Sequence, residues 1–492
     1  MTSAEEATAA AGAPRPASTG RIVRNSVLQA GADAIGKLGT IVLYAVVARK
    51  AGVEAFGDFT TAASLSILVM VAAFGMDYRI TRLVARGETG AGEAFWSAIL
   101  LKLLLGVVLL AVVLAVAVAG PYSDRVVLST TLLGVAIIVE LTMMTPHAVF
   151  RGLEQLRVVA IALTLYRGTL AVAGIVVLLA GGSIVAVAYG WLVSACLALW
   201  YTADQLRRAG LHFPFRATRA SLRAVGVDSF ALGLAGVLGA TLSRLDIVIL
   251  GVLKDSEAVA LYGGAYRLME STQFLTTALA LSTFPALARL SRITTPTIAE
   301  ATAVAMKVVL IVTVPIAVFF VVYAEPLLKA MYGPEFGGAR TTLQLLGPIV
   351  IATGIYSLVT FVLSSQQRQR PIVVALMVAT VVNVAGNLVL IPSHGVEGAA
   401  VAWAATTVMM CVLLVWSTLR ISGPMPVARM TAGPLVAAAA MAGVGVALGA
   451  GAVSVVPAIV TFGVALLAVE RSLFPEDVDR VVRAVRRRRA TD

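Results

Sequence analysis

This chain has little of what a soluble enzyme needs. Only 13% of its 492 residues are charged, and it contains 3 histidines and 2 cysteines. Charge this sparse excludes an ordinary water-exposed globular surface. Cys196 and Cys411 both lie in apolar runs without CxxC spacing, which excludes a disulfide framework and suggests no metal site; both should pack as small hydrophobes. His147, His212 and His394 fall on a helix end and two connectors. They supply neither a metal-ligand set nor a catalytic triad, so no cofactor, metal or catalytic residue is expected and the chain reads as a non-enzyme. Acidic residues are in deficit, 26 against 38 basic, for a formal charge of +12. That positive charge gathers in short connectors between apolar runs, so it is an orientation signal rather than a nucleic-acid surface. Residues 1–20 lack the apolar core of a signal peptide, and the first helix is expected to act as an uncleaved anchor. Gly31 to Lys37 nearly spells a nucleotide-binding loop, but Leu38 replaces the required Ser or Thr and no strand precedes it.

What the chain has is hydrophobicity, 59% of residues with a mean hydropathy of +0.93. Apolar runs sit near 26–48, 58–76, 94–118, 127–150, 156–180, 184–203, 228–252, 259–287, 302–323, 343–364, 372–391, 398–419, 430–449 and 452–470. These predict an all-α integral membrane protein of about 14 transmembrane helices. The clearest hairpin lies between Gln366 and Thr406, where two apolar runs flank the turn Ile391-Pro-Ser-His-Gly-Val-Glu-Gly398. Basic residues alternate with the connectors. One set holds Arg79, Arg82, Arg86, Arg151, Arg157, Arg207, Arg208, Arg216, Arg219, Arg223, Arg289, Arg292, Arg368, Arg370, Arg420 and Arg429; the other holds only Arg49, Lys50, Arg125, Lys254, Lys329 and Arg340. Positive-inside bias then places both termini in the cytoplasm. Heavy Ala, Val and Gly usage with arginine favoured over lysine suggests a GC-rich bacterium, whose cytoplasmic membrane would hold the chain.

A weak internal repeat is also legible. The helix break at Ala55-Phe-Gly57 recurs 206 residues on (263 minus 57) at Leu261-Tyr-Gly263, and Lys102 is matched by Lys307. Six helices per repeat, an even number, predicts two lobes related by a pseudo-twofold axis along the membrane normal. The predicted organisation is a tail at 1–25, an N-lobe at 26–203, a basic linker at 204–227, a C-lobe at 228–420, two further helices at 421–470 and a basic tail at 471–492.

Charges inside the spans each cost roughly 2.5–3.5 kcal/mol on insertion scales, so each needs a partner or water. Asp33 and Lys37 share a face of the first helix, either as a self-neutralising pair or as a cavity cation with its tuner. Glu140 and Arg167 fall at matching depth and are expected to form a structural ion pair. Arg244 and Asp246 match the depth of Arg267 and Glu270, a four-charge cluster that either neutralises itself or leaves an arginine for a diphosphate. Lys102 and Lys307 are expected to snorkel to headgroups. Asn383 and Asn387 are expected to hydrogen-bond between helices, Pro146 and Pro285 to mark kinks, and Arg483 to Arg489 to anchor the tail.

Several segments resemble a known family in their order and spacing: Val47 to Gly57, Gly75-Met-Asp-Tyr-Arg79, Asp246 to Gly251, Tyr262 to Arg267, Phe284-Pro285, Met331 to Phe336 and the Gly395 to Ala400 turn. The pattern resembles the oligosaccharide flippase branch of the multidrug/oligosaccharidyl-lipid/polysaccharide exporter superfamily. The resemblance implies two lobes, alternating access, and flipping of a polyprenyl-pyrophosphate-linked oligosaccharide for cell-surface polysaccharide. Its implied partners are that lipid-linked glycan, membrane lipids, and a polysaccharide polymerase and glycosyltransferases of the same pathway. It also implies that Lys37, Arg244 and Arg267 line the cavity, with Asp33, Glu140, Arg167, Asp246 and Glu270 as tuning or structural charges. A cation-coupled drug or metabolite antiporter of the superfamily is the alternative. A membrane-embedded glycosyltransferase or polymerase ranks last, since the outer connector from Tyr323 to Thr342 offers only Glu325 and Glu335.

The topology is open to direct test. Reporter fusions after Gly181, Lys254 and His394 should read as external and fusions after Arg208, Arg292 and Arg368 as cytoplasmic; one reproducible inversion would sink the arrangement.

Overall fold

The computed structural model describes residues 19–73, 75–273, 275–276 and 295–475. Pro285 and the Arg483 to Arg489 tail lie outside them. The backbone gathers into two compact units, 1–263 and 264–492. The described residues of both are helical, and a helix satisfies its own backbone groups within a bilayer. Among the described residues ten helices are long and apolar enough to cross a membrane, or eleven if Pro334–Leu346 and Ile349–Ser365, bent by 45°, count as one crossing.

The first unit opens with α1 (Thr19–Ile67), 49 residues that bend at Gly52, where φ is 88° and ψ 174°. About 20 residues suffice to cross, so a helix this long must turn, and only glycine adopts that backbone without strain. A 3₁₀ segment, Leu68–Ala73, tightens the end of the second crossing. The helices α2 (Met76–Arg86), α3 (Ala91–Ala119), α4 (Asp124–Gly152), α5 (Leu156–Leu179), α6 (Ile184–Arg208), α7 (Arg219–Leu242) and α8 (Leu245–Leu253) follow, and α9 (Ser256–Ser271) leads into the second unit. There α10 (Thr295–Val322), α11 (Ala324–Tyr332), α12 (Arg340–Leu346), α13 (Ile349–Ser365), α14 (Arg370–Ser422), α15 (Val427–Ala447) and α16 (Ala452–Leu473) complete the chain. The 53-residue α14 breaks at Gly395, φ 55° and ψ −126°, inside the turn expected from the sequence.

The connector expected around Arg79, Arg82 and Arg86 is instead the helix α2. Met76, Ile80, Leu83 and Val84 recur on one face at helical spacing and are buried against Phe95, Ala98, Ile99 and Val149. Its first turn carries Asp77, which receives Lys102 Nζ at 2.6 Å. Lys102 also donates to the Leu141 carbonyl at 3.2 Å and to Thr145 Oγ1 at 3.0 Å, and it is 1% exposed. Snorkelling is therefore overturned: α2 brings a carboxylate to the buried ammonium, so the side chain has no need to reach the headgroups. Lys307 is corrected in the same way. Its Nζ lies 2.5 Å from Glu470 Oε2 at the end of α16 and 4.8 Å from the Phe474 ring centre.

At the opposite, charge-poor end of the first unit, the two corners of the repeat meet. Asp58, 5% exposed, accepts from Ser256 Oγ at 2.6 Å and from Ser123 Oγ at 3.4 Å. A Cβ on Gly57 would collide with the Ser256 carbonyl, and one on Gly263 would come within 2.8 Å of the Thr60 methyl. Each corner's glycine thus faces the other corner. Tyr122 donates to the Val248 carbonyl at 3.4 Å across the same clasp, where burial pushes its phenol up to about 12.

Breaking a buried pair from one side strands the other charge. Lys102→Met alone should cost about 3–5 kcal/mol of stability, and Lys102→Met with Asp77→Leu should recover most of it, as read by unfolding of the detergent-purified protein.

Candidate functional site

The polar groups inside the spans take partners from neighbouring helices or from their own helix. On α4, Glu140 accepts from the Tyr166 hydroxyl at 2.9 Å, and Trp191 Nε1 donates to that same hydroxyl at 2.7 Å. The relay ties α4, α5 and α6 together, and Phe59 of α1 stands 6.4 Å from the Trp191 ring. The expected Glu140–Arg167 ion pair is not the contact made. Adjacent helical residues point about 100° apart, so Tyr166 reaches Glu140 while Arg167 runs against α1. There Gly36 leaves room for its methylenes, and its charge acts on Glu140 from farther off. Lys37, one residue on from Gly36, is exposed and bonds to no described side chain. The Asp33 side chain lies outside the described residues, and with it the expected Asp33–Lys37 pair.

The predicted seventh span is broken at Ser243 and Arg244. Arg244 has φ −136° and caps α8. It is 7% exposed, and its charge acts on Asp246 two residues along the chain. Asp246 is fully buried; it accepts from the Tyr262 hydroxyl and, at 2.9 Å, from the Ile247 amide. In the second unit Arg267 Nη1 lies 3.7 Å from Glu270 Oε2, one turn apart on α9. Of the four charges expected as one cluster, Arg244 lies beside Asp246 in the first unit and Arg267 pairs with Glu270 in the second. Asn387 Nδ2 donates to the Asn383 carbonyl at 2.8 Å and to Asn383 Oδ1 at 3.0 Å. This bond lies within one helix and corrects the expected interhelical one. At the charge-poor end of that unit Glu325 accepts from Lys329 at 2.6 Å and Arg340 at 3.3 Å, and Lys329 beside it holds its carboxyl below the usual value.

Sequence reading missed Asp58, Asp77, Tyr166, Trp191 and Tyr262. The available signals were a tyrosine beside an intramembrane arginine and a tyrosine inside a quoted motif, but neither names its carboxylate.

A family model described as polysaccharide biosynthesis protein matches residues 22–291, more than half of the chain. The chain belongs to the polysaccharide biosynthesis protein family. A second family model, MatE, matches residues 231–389. A probable low-salt glycan biosynthesis flippase of Haloferax volcanii, Agl15, is 24% identical over 371 residues, 74% of this chain and 77% of that protein. Among solved structures, the lipid II flippase MurJ in an inward closed conformation superposes with a TM-score of 0.75 at 13% identity, covering 92% of this chain and 100% of that one. An inward-facing multidrug resistance MATE transporter superposes at 0.64 with 17% identity, covering 79% and 94%. The fold is that of the superfamily these transporters share, and the resemblance read from the sequence is upheld. All eight candidate charges of this family member lie inside its matched segment 22–291.

If the Tyr166 hydroxyl is what satisfies both Glu140 and Trp191, Tyr166→Phe should destabilise the protein by about 1–3 kcal/mol. Combined with Glu140→Gln, the losses should be less than additive by at least ~0.5 kcal/mol in a double-mutant cycle of thermal unfolding.

Proposed function

We propose that this chain flips a polyprenyl-pyrophosphate-linked oligosaccharide from the cytoplasmic to the outer leaflet of the bacterial cytoplasmic membrane, by alternating access and without catalysing a covalent step. The observation that carries the reading is the family match over 22–291, joined by the likeness to a probable glycan flippase along 74% of the chain. The geometry is compatible with it. Lys37 is exposed on α1, Arg244 is buried at a helix break, and Arg267 is half-buried on α9. A pyrophosphate leaving water needs such compensation, and guanidinium groups bind it bidentately. In this reading both termini are cytoplasmic, the lobes are 26–203 and 228–420 joined by the basic linker, and rocking opens the charge-poor end to the outside. The polymerase and glycosyltransferases of the same pathway would supply and consume the glycan.

The MatE match over 231–389 favours one alternative, a cation-coupled antiporter. Such a carrier depends on acidic groups that load and release a cation. The two readings separate on depletion of the protein: lipid-linked glycan should accumulate on the cytoplasmic leaflet for the flippase and remain evenly processed for the antiporter.

Lys37→Ala, Arg244→Ala and Arg267→Ala should each abolish glycan export at normal protein abundance, with Arg→Lys restoring only part because the bidentate geometry is lost. Recovery of export in Arg267→Ala with Glu270→Gln would reassign that pair to structure. The clasp gives a second test. Cysteines replacing Asp58 and Ser256 should crosslink on oxidation and stop export, and reduction should restore it; export that continues through the crosslink would rule out opening at this end.

A further inference from the structure

At the basic end of the first unit, the break after the second crossing opens a pocket of about 340 Å³ lined by Gly75, Tyr78, Arg79, Arg82 and Asp228. None of these residues belongs to the cavity charges discussed above. One carboxylate serves two guanidinium groups here: Asp228 is paired with Arg79 and lies 3.7 Å from Arg82. Arg79 Nε is buried and has no hydrogen-bond partner. The pocket also faces the start of α2, an 11-residue helix whose N-cap, Gly75 at φ 64°, offers no side chain to its first amides. The positive end of the helix dipole favours an anion at that point. The one acid in the first turn, Asp77, is turned away and occupied by Lys102.

We propose that this pocket docks a phosphate-ester headgroup, which replaces Asp228 as the partner of Arg79 and Arg82. Four features support the exchange. Two arginines against one carboxylate leave a net positive charge. The donor missing a partner, Arg79 Nε, is of the kind that phosphate oxygens accept in several directions at once. Arg79 and Asp228 are 22% and 42% exposed, so water already reaches their pair, and a pair this exposed contributes little that an incoming dianion must overcome. The platform itself stays in place, because the apolar face of α2 is buried and Lys102 pins its first turn. Release of Asp228 would also remove the ion pair that ties α7 to α2. Assigning the headgroup to the glycan carrier rests on the flippase reading; the phosphate chemistry of the pocket does not.

The test uses the full-length protein in phosphatidylcholine nanodiscs, titrated with farnesyl pyrophosphate and with inorganic pyrophosphate, and compared with nanodiscs containing phosphatidylglycerol. Ligand-induced thermal stabilisation gives the affinity. Arg79→Ala and Arg82→Ala should each weaken binding about tenfold, equivalent to about 1.4 kcal/mol, with Arg79→Lys intermediate. Asp228→Asn, which removes the competing carboxylate while keeping its shape, should tighten binding about threefold. A response to farnesyl pyrophosphate alone assigns the site to an isoprenoid carrier, an equal response to inorganic pyrophosphate assigns it to free phosphate, and a response only to phosphatidylglycerol assigns it to a lipid headgroup; each supports the chemistry. Weaker binding in Asp228→Asn, or unchanged binding in both arginine variants, overturns the proposal and makes the cluster a structural pin. Because the readout is binding, a protein that binds but does not export leaves the pocket standing and removes the proposed function, and export without binding does the reverse.

Discussion

The constraint behind this structure is that hydrocarbon offers no hydrogen bonds. Every amide, ammonium and carboxylate carried into the bilayer must find its partner within the protein, at a cost of several kcal/mol if it fails. Lys102 answers with three acceptors, Glu140 with a tyrosine itself bonded by a tryptophan, Asp246 with a tyrosine and a backbone amide, and Asn387 with the residue one turn before it. The same constraint governs where helices break. Gly52 and Gly395 turn the chain between crossings, whereas Arg244 interrupts a crossing itself and is buried there among protein groups.

Hydropathy made the crossings legible because length and apolarity are one-dimensional properties, and the Pro392–Gly395 turn was legible because only a glycine meets its backbone angles. Partnership was not legible. Depth counting put Glu140 level with Arg167, but the azimuth around each helix decides contact, and there the neighbouring Tyr166 faces the acid. Lys102 was read as snorkelling because its acid, Asp77, stands in a stretch whose arginines looked like a loop. The amphipathic spacing of Met76, Ile80, Leu83 and Val84 was the overlooked sign of a helix.

The weak repeat in the sequence has echoes at the level of packing. Phe59 meets Trp191 at 6.4 Å in the first unit, and Tyr266 meets Trp403 at 5.6 Å in the second, at residue offsets of 207 and 212 (266 minus 59, 403 minus 191). Lys102 and Lys307, the matched lysines, each hold a carboxylate. The aromatic contact recurs with phenylalanine standing for tyrosine, whereas the two lysines take their carboxylates from helices that the repeat does not relate.

The two lysines differ in when their partners are made. Asp77 precedes Lys102 by 25 residues. As the chain leaves the ribosome, α2 can already lie at the membrane surface when α3 is inserted, and the ammonium enters lipid alongside its counter-ion. Lys307 must wait 163 residues for Glu470, at the end of the last described helix. The carboxylate of the second unit's pair thus arrives only with its last described helix, long after the lysine has entered the membrane. A chain cut short before α16 would lose that carboxylate, whereas the first unit carries its own from the start.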